Sequence, residues 1–360
     1  MAPSTSLLLF PLLSILAAAS PAGLNRPAAD DINSTNNLNL VNPSTPVFPR
    51  KAAGDAPFSV TEKSLRGAIY IPPGFEYGAG SKSPVIMIPG TAVPAGTTYA
   101  DGFGRLLGET DYADPVWVNI PGNSLNDVQV NLEYVAYAIN YISGVSRGKK
   151  VGLVSWSQGG INAQWAFKFW PSTIDAVTDH IALAPDYKGT TLAPLICTPL
   201  TMSLCTPAIK QQESRSKLIA TLRRNGGDSA FVPTTTFYSS SDEIVQPQDG
   251  VNASAYLLDA RNVGVTNNQV QEVCDNPFAI VLHEGSLFNA MAWGLIQDAL
   301  THDGPGRPDR LDTTSLCDED VAPGMDPLAA AAAIVASAVG NILASPATTL
   351  WEAPIAPYAS

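Results

Sequence analysis

The sequence predicts an α/β protein with a mainly parallel central sheet and helices on both faces. Two observations carry this. Short, nearly continuous apolar runs alternate with helical patterns between Ser83 and Gly285. Strands covered on both faces read as such continuous runs, whereas half-wet strands alternate apolar with polar. The run Val151–Val154 also leads straight into a helical pattern through a turn with Ser157 at its apex.

The elements follow in chain order. Val85–Ile88, Val116–Ile120, Val151–Val154, Ile181–Ala184, Thr235–Tyr238 and Phe278–Leu282 are predicted strands, each bounded by polar or Gly/Pro residues. Val128–Ile142 is a predicted helix capped by Asn126 or Asp127. Ile161–Phe169 is another, because Ile161, Trp165 and Phe169 share one face at i, i+4 and i+8. A third covers the Ala-rich run Leu328–Ala344, after Pro327 and before Pro346. Ser337, Gly340 and Asn341 interrupt that run, and alanine adds little apolar area, so a surface or core-packed helix is expected rather than a membrane span. No repeat and no second domain are evident, and residues 58–360 are expected to form one domain.

The 360 residues carry 20 Lys+Arg against 32 Asp+Glu, a net charge of −12, and are 45% hydrophobic. That composition supports a large core and excludes a basic footprint for nucleic acid or an anionic membrane surface. Three histidines without CxxC or HExxH spacing argue against a zinc site. Leu7–Ala19 is a short apolar run followed by the small residues Ala17, Ala19, Ser20 and Ala22, the pattern of a secretory signal peptide over residues 1–22. It falls short of the roughly 20 residues that span a bilayer. Residues 23–57, rich in Asn, Pro, Ala, Asp and Ser, are expected to be a pro-segment or disordered tail, with Arg50–Lys51 a candidate processing site. Asn33 and Asn252 stand in glycosylation sequons. Four cysteines allow three pairings in an oxidising compartment. A local Cys197–Cys205 bridge would leave Cys274–Cys317, and four free thiols are the alternative.

The Ser157 turn carries the chemistry. A sharp strand-to-helix turn exposes a serine hydroxyl at the carboxyl end of a sheet, and the residues two before and two after must be small. Here they are Ser155 and Gly159, so glycine is absent from the first position. A nucleophilic serine needs a base, and the base an orienting carboxylate, in the order serine, acid, histidine for this kind of fold. His283 directly follows a predicted strand and is the candidate base, with His180 read as structural and His302 as a solvated loop residue. Asp242, just past Thr235–Tyr238, is the candidate acid, with Glu243 its competitor. The N–H of Gln158 and the turn at Pro89-Gly90-Thr91 are candidate donors to a carbonyl oxygen developing negative charge.

On these residues the chain resembles the secreted fungal lipases of the Candida antarctica lipase B type. The matching stretches are Pro89-Gly90-Thr91, Leu125–Asn131 with Glu133-Tyr134, Trp156–Gly160, Ala184–Thr190, Val232–Thr235, Asp242–Gln248, and His283 with Gly285-Ser286-Leu287. The resemblance implies an α/β-hydrolase fold and carboxylic-ester hydrolysis by Ser157, Asp242 and His283, with Thr91 and Gln158 as the oxyanion hole. It implies Asp186 and Gln212 on the acyl side of the pocket, Trp156 on the alcohol side, and no cofactor or metal. Cys274–Cys317 matches one family disulfide. Two others lack counterparts: Val116 and the region around Ile69–Tyr70 stand where one is expected, and the family's C-terminal bridge is missing. Cys197–Cys205 lies where the sequences diverge. Glu284 replaces a small apolar residue after the histidine, which would raise the imidazolium pKa if its side chain faces the site. The Ala-rich helix resembles the family's helix bordering the site entrance.

The expectation is a secreted, monomeric triacylglycerol lipase acting on lipid or other ester substrates, with transient contact at a lipid interface. Its rivals are a short-chain or polyester esterase or acyltransferase, and a catalytically silent lipid-binding protein on the same fold.

Overall fold

Apolar runs become strands buried from end to end. In β2 (Ser83–Ile88), Val85 and Met87 face one core cluster while Ile86 and Ile88 face the other, the period-two consequence of a sheet covered on both sides. The computed structural model describes residues 31–360. The predicted signal peptide lies outside them.

The other strands are β1 (Ile69–Tyr70), β3 (Ala113–Val118), β4 (Val151–Trp156), β5 (Val177–Leu183), β6 (Thr234–Tyr238) and β7 (Val265–Gln269), in the spatial order β1-β3-β2-β4-β5-β6-β7. The neighbours from β3 to β7 pair in parallel, and β1 pairs antiparallel with β3. The four longest helices are α1 (Val128–Val145), α2 (Gln158–Phe169), α3 (Ala290–Thr301) and α4 (Pro327–Ala344). α1 and α2 close one face over Ile86, Val116 and Leu153, whereas α3 closes the other over Val154, Ile181 and Phe237. Asp127, not Asn126, caps α1, its carboxylate accepting Gln129 N at 2.9 Å. Gln211 covers the neighbouring donor, Val128 N, at 2.7 Å.

Three expectations need correcting. Phe278–Leu282 is not a strand: Phe278 is 86% exposed and Ile280 76%, and the chain there is irregular. The last sheet position belongs to Val265–Gln269, whose Thr-Asn-Asn-Gln sequence hides a strand from any apolar criterion. The third strand runs over Ala113–Val118 rather than Val116–Ile120. Residues 32–57 lack regular elements, yet they belong to the same compact unit as the sheet. The Ile32 carbonyl accepts Trp117 Nε1 at 2.8 Å and Asn119 Nδ2 at 2.9 Å, Asn39 Nδ2 donates to Arg66 O and Ile69 O at 2.8 Å each, and Val47 is buried. This stretch is anchored by amide hydrogen bonds, which an apolar count does not register.

Both disulfides, Cys197–Cys205 and Cys274–Cys317, are formed. His180 lies within β5 rather than ahead of a strand, fully buried, its Nε2 2.8 Å from Ser155 Oγ. Burial without a charged partner pushes its pKa down to about 3. Below an ordinary histidine's 6.5 the unfolded chain takes up a proton that the folded one refuses, so this contribution to stability is complete above pH 6.5 and lost toward pH 3. Urea unfolding across that range should show the stability lead of the wild type over His180→Gln shrinking as pH falls. A constant lead would contradict it.

Candidate active site

β4 ends at Trp156 and α2 begins at Gln158, so Ser157 alone makes the turn, at φ 54° and ψ −127°. Such a backbone costs a non-glycine residue about 1–3 kcal/mol and persists only where its surroundings over-determine it. They do so here. Ser157 N donates to Leu183 O at 3.0 Å and Gly160 N to Ser157 O at 2.9 Å. A Cβ at Gly159 would sit 2.7 Å from the Ile88 carbonyl oxygen and 2.9 Å from that of Pro89. One at Gly90 would meet the Trp156 ring at 2.7 Å and Ser157 Cβ at 2.9 Å. The turn therefore seats directly against the chain leaving β2. Ser155, in place of the usual glycine, is accommodated because its hydroxyl has His180 as a partner.

His283 and Asp242 meet past the carboxyl ends of the strands. Asp242 Oδ1 accepts Ile244 N at 2.8 Å and Val245 N at 2.7 Å, while Oδ2 lies 2.8 Å from His283 Nδ1. A carboxylate receiving backbone donors is an acceptor, so Nδ1 carries the ring proton and Nε2 is left as the basic nitrogen. The His283 backbone is fixed from three sides: Glu243 Oε2 accepts its N–H at 3.0 Å, and its carbonyl accepts Trp156 Nε1 at 3.2 Å and Ser286 Oγ at 2.8 Å. The two candidate acids thus divide the work, Asp242 on the ring and Glu243 on the backbone. Burial opposes the imidazolium, but Asp242, with Glu284 and Glu243, outweighs it and leaves the His283 pKa raised to about 9. Among the described residues no hydrogen bond joins His283 to Ser157; such bonds often tighten only when substrate is bound.

Thr91 Oγ1 accepts Gln158 Nε2 at 2.8 Å and Gln212 Nε2 at 2.9 Å, and donates to Gln212 Oε1 at 3.1 Å. Two amide donors occupy the hydroxyl oxygen, so its single proton reaches a substrate only by turning away from Gln212 Oε1. The Gln158 side chain is fully engaged, also donating to Ser124 O at 3.1 Å and accepting Asn131 Nδ2 at 3.1 Å, so its backbone N–H is what it can present. Asp186 is buried with no hydrogen-bond partner on either carboxyl oxygen. Burial lifts its pKa to about 7, moderated by the nearby His283.

The structure thus joins Asp242, His283 and Trp156 in one group, and Thr91, Gln158 and Gln212 in another, with Ser157 in sequence between Trp156 and Gln158. Sequence reasoning gave no role to Asn131, Ser286 or the Glu243 carboxylate at the backbone. Asn131 had a signal, since an amide inside an apolar helical run must find buried partners. A separate cavity of about 840 Å³ opens at the amino ends of the strands, beside Val85, Gly152 and Asp179. It lies at the wrong end of the sheet for a site of this fold, where ligands meet the carboxyl ends.

A sheet of this order and direction, carrying its serine turn after a central strand, makes the protein an α/β-hydrolase. No protein-family model matches the chain. It is 35% identical over 323 residues to lipase B of Pseudozyma antarctica, spanning 88% of this chain and 90% of that protein. Its fold matches the crystal structure of Aspergillus fumigatus lipase B with a TM-score of 0.88 and 50% identity, over 92% of this chain and 79% of that one. The chain belongs to the lipase B family and is a carboxylic ester hydrolase.

Because the atoms facing Gly159 are backbone carbonyls, Gly159→Ala cannot be absorbed by a side-chain rotation. It should lower stability by about 1–3 kcal/mol, an overpacking cost, in thermal or urea unfolding. Gly340→Ala, in α4 with nothing within 4 Å, should instead be neutral or stabilising by roughly 0.5–1 kcal/mol.

Proposed function

We propose that Ser157, His283 and Asp242 act as a catalytic triad hydrolysing lipid esters, triacylglycerols first among them, through an acyl-enzyme. The observation that carries this is the buried Asp242–His283 pair at the same sheet end as a serine held in a strained, left-handed turn. Ser157 Oγ attacks the ester carbonyl as His283 Nε2 takes its proton, and Asp242 keeps the other ring nitrogen protonated. The Gln158 N–H and the Thr91 donors hold the oxyanion. The imidazolium then protonates the departing alcohol, and a water activated by His283 releases the acid. We assign Asp186 and Gln212 to the acyl side and Trp156 to the alcohol side by the family resemblance.

α4 supports a lipid substrate. It is an 18-residue apolar helix with Ile334 alone buried, and Leu328, Val339 and Leu343 stand exposed on it. We assign it as an apolar rim that meets lipid transiently while the protein works as a secreted monomer. Two disulfides and the exposed Asn252 sequon suit that route, whereas the Asn33 amide is engaged with Thr97.

A serine-reactive fluorophosphonate followed by peptide mapping tests the triad. One adduct on Ser157, absent in His283→Ala, is expected, and a folded protein that gives none would overturn the assignment. Ser157→Ala should lower kcat by about 10⁴-fold or more, and Thr91→Val by up to ~10²–10³-fold. The free base must be present for attack, so the acid limb of kcat/KM should sit well above pH 6.5, toward 9. Glu284→Ala removes one of the carboxylates raising His283 and should move that limb to lower pH. An unchanged profile would remove Glu284 from the account. Leu328→Ser with Leu343→Ser should depress hydrolysis of emulsified long-chain esters and spare soluble short-chain ones. Equal effects on both would favour an esterase that works without an interface.

A further inference from the structure

α4 has only two polar side chains, Ser337 and Asn341. The helix packs on three short segments: Ala95–Tyr99, which follows the Thr91 turn, Met202–Leu204 in the Cys197–Cys205 loop, and Glu284–Leu287, which follows His283. Contacts of this kind need no polar group. Asn341 nevertheless reaches out of the helix, its Nδ2 donating to the Ala92 carbonyl at 2.8 Å, with Ser337 Oγ 3.2 Å away on the preceding turn.

The acceptor is a particular one. Ala92 directly follows Thr91 and holds a left-handed backbone, φ 69°, which costs an alanine roughly 1–2 kcal/mol. Its N–H donates to Asn123 O at 2.7 Å. The peptide groups on both sides of Ala92 are therefore clamped, one by the loop before α1 and one by Asn341. Without Asn341 the Ala92 carbonyl loses the donor on its α4 side, and the twisted residue can relax toward ordinary angles. Relaxation turns the Ala92–Val93 peptide first and passes through Ala92 to the Thr91–Ala92 peptide, whose remaining clamp is the bond to Asn123 O, and so to Thr91.

We propose that Asn341 is a positioning residue for the oxyanion hole: it holds the Thr91–Ala92 turn in its strained form, so that Thr91 is correctly aimed only while α4 is seated. The inference rests on the oxyanion role proposed for Thr91. Asn341 touches neither substrate nor reacting atoms. It acts through the backbone beside Thr91.

The test uses the full-length protein and a soluble short-chain ester, together with an alkyl trifluoromethyl ketone whose serine hemiketal places an oxyanion in the hole. Asn341→Leu keeps the branched heavy-atom skeleton, in a somewhat larger side chain, and removes the donor. It should lower kcat about ten-fold, less than the ~10²–10³-fold loss of a direct donor, and weaken the ketone by the same factor with KM within about two-fold. Asn341→Gln, which keeps a donor on a longer stem, should recover part of both losses. In a Thr91→Val background the further loss from Asn341→Leu should shrink, because the two act in series. Ser337→Ala, which removes only the hydroxyl beside the Asn341 amide, gives a milder change in the same direction and serves if Asn341→Leu does not fold. Loss in Thr91→Val with none in folded Asn341→Leu, or loss of kcat without loss of ketone affinity, overturns the positioning role. Thr91→Val without effect overturns the oxyanion assignment and the positioning role together.

Discussion

The closeness of two backbones governs the working end of this molecule. The turn after β4 lies against the chain leaving β2 because Gly90 and Gly159 present no side chains to each other's surroundings. That contact lets the Gln158 amide reach Thr91, and it sets the first N–H of α2 beside the same loop. The strain at Ser157 is tolerable for the same reason, since the packed sheet and α2 leave the residue no alternative path. Asn131 and Ser124 fix Gln158, which fixes Thr91, so polar groups well back from the serine settle the position of that loop.

Two buried histidines show how much their neighbours decide. His180 sits among Ser155, Phe167 and Tyr187 and is held neutral, whereas His283 sits among Asp242, Glu243 and Glu284 and is held ready to accept a proton. Burial alone would depress both. In a chain with only 14% charged residues, three carboxylates at one histidine are a concentrated use of charge.

The fold was legible in the sequence where it depends on local rules. A strand running into a helix through a serine requires small flanking residues, and Ser155 and Gly159 satisfy that rule without any tertiary information. Asp242 and His283 were chosen for chain order and for standing just past predicted strands, with three histidines leaving little choice, and the structure brings the two side chains together. The element leading to His283 was misread because apolar character stood in for burial: Phe278 and Ile280 are apolar but exposed, while Val265–Gln269 is polar yet pairs in the sheet. The anchoring of residues 32–57 was illegible because Asn and backbone carbonyls do it, and their partners lie tens of residues away. Asn341 had read only as an interruption in an apolar helix. Its partner, Ala92, is 249 residues distant.

The exposed apolar residues also bear on how the protein behaves in bulk. Leu195, Ile196, Leu200 and Met202 around the first disulfide loop, Phe278, Ile280 and Leu282 before His283, and Leu328 and Leu343 on α4 are all exposed, and α4 packs on the first of these regions through Met202–Leu204. This greasy collar faces water, and the net charge of −12 opposes the adhesion of one copy to another. That protection is made of carboxylates, while the collar has none to lose. As a medium acidifies, mutual repulsion fades and stickiness stays.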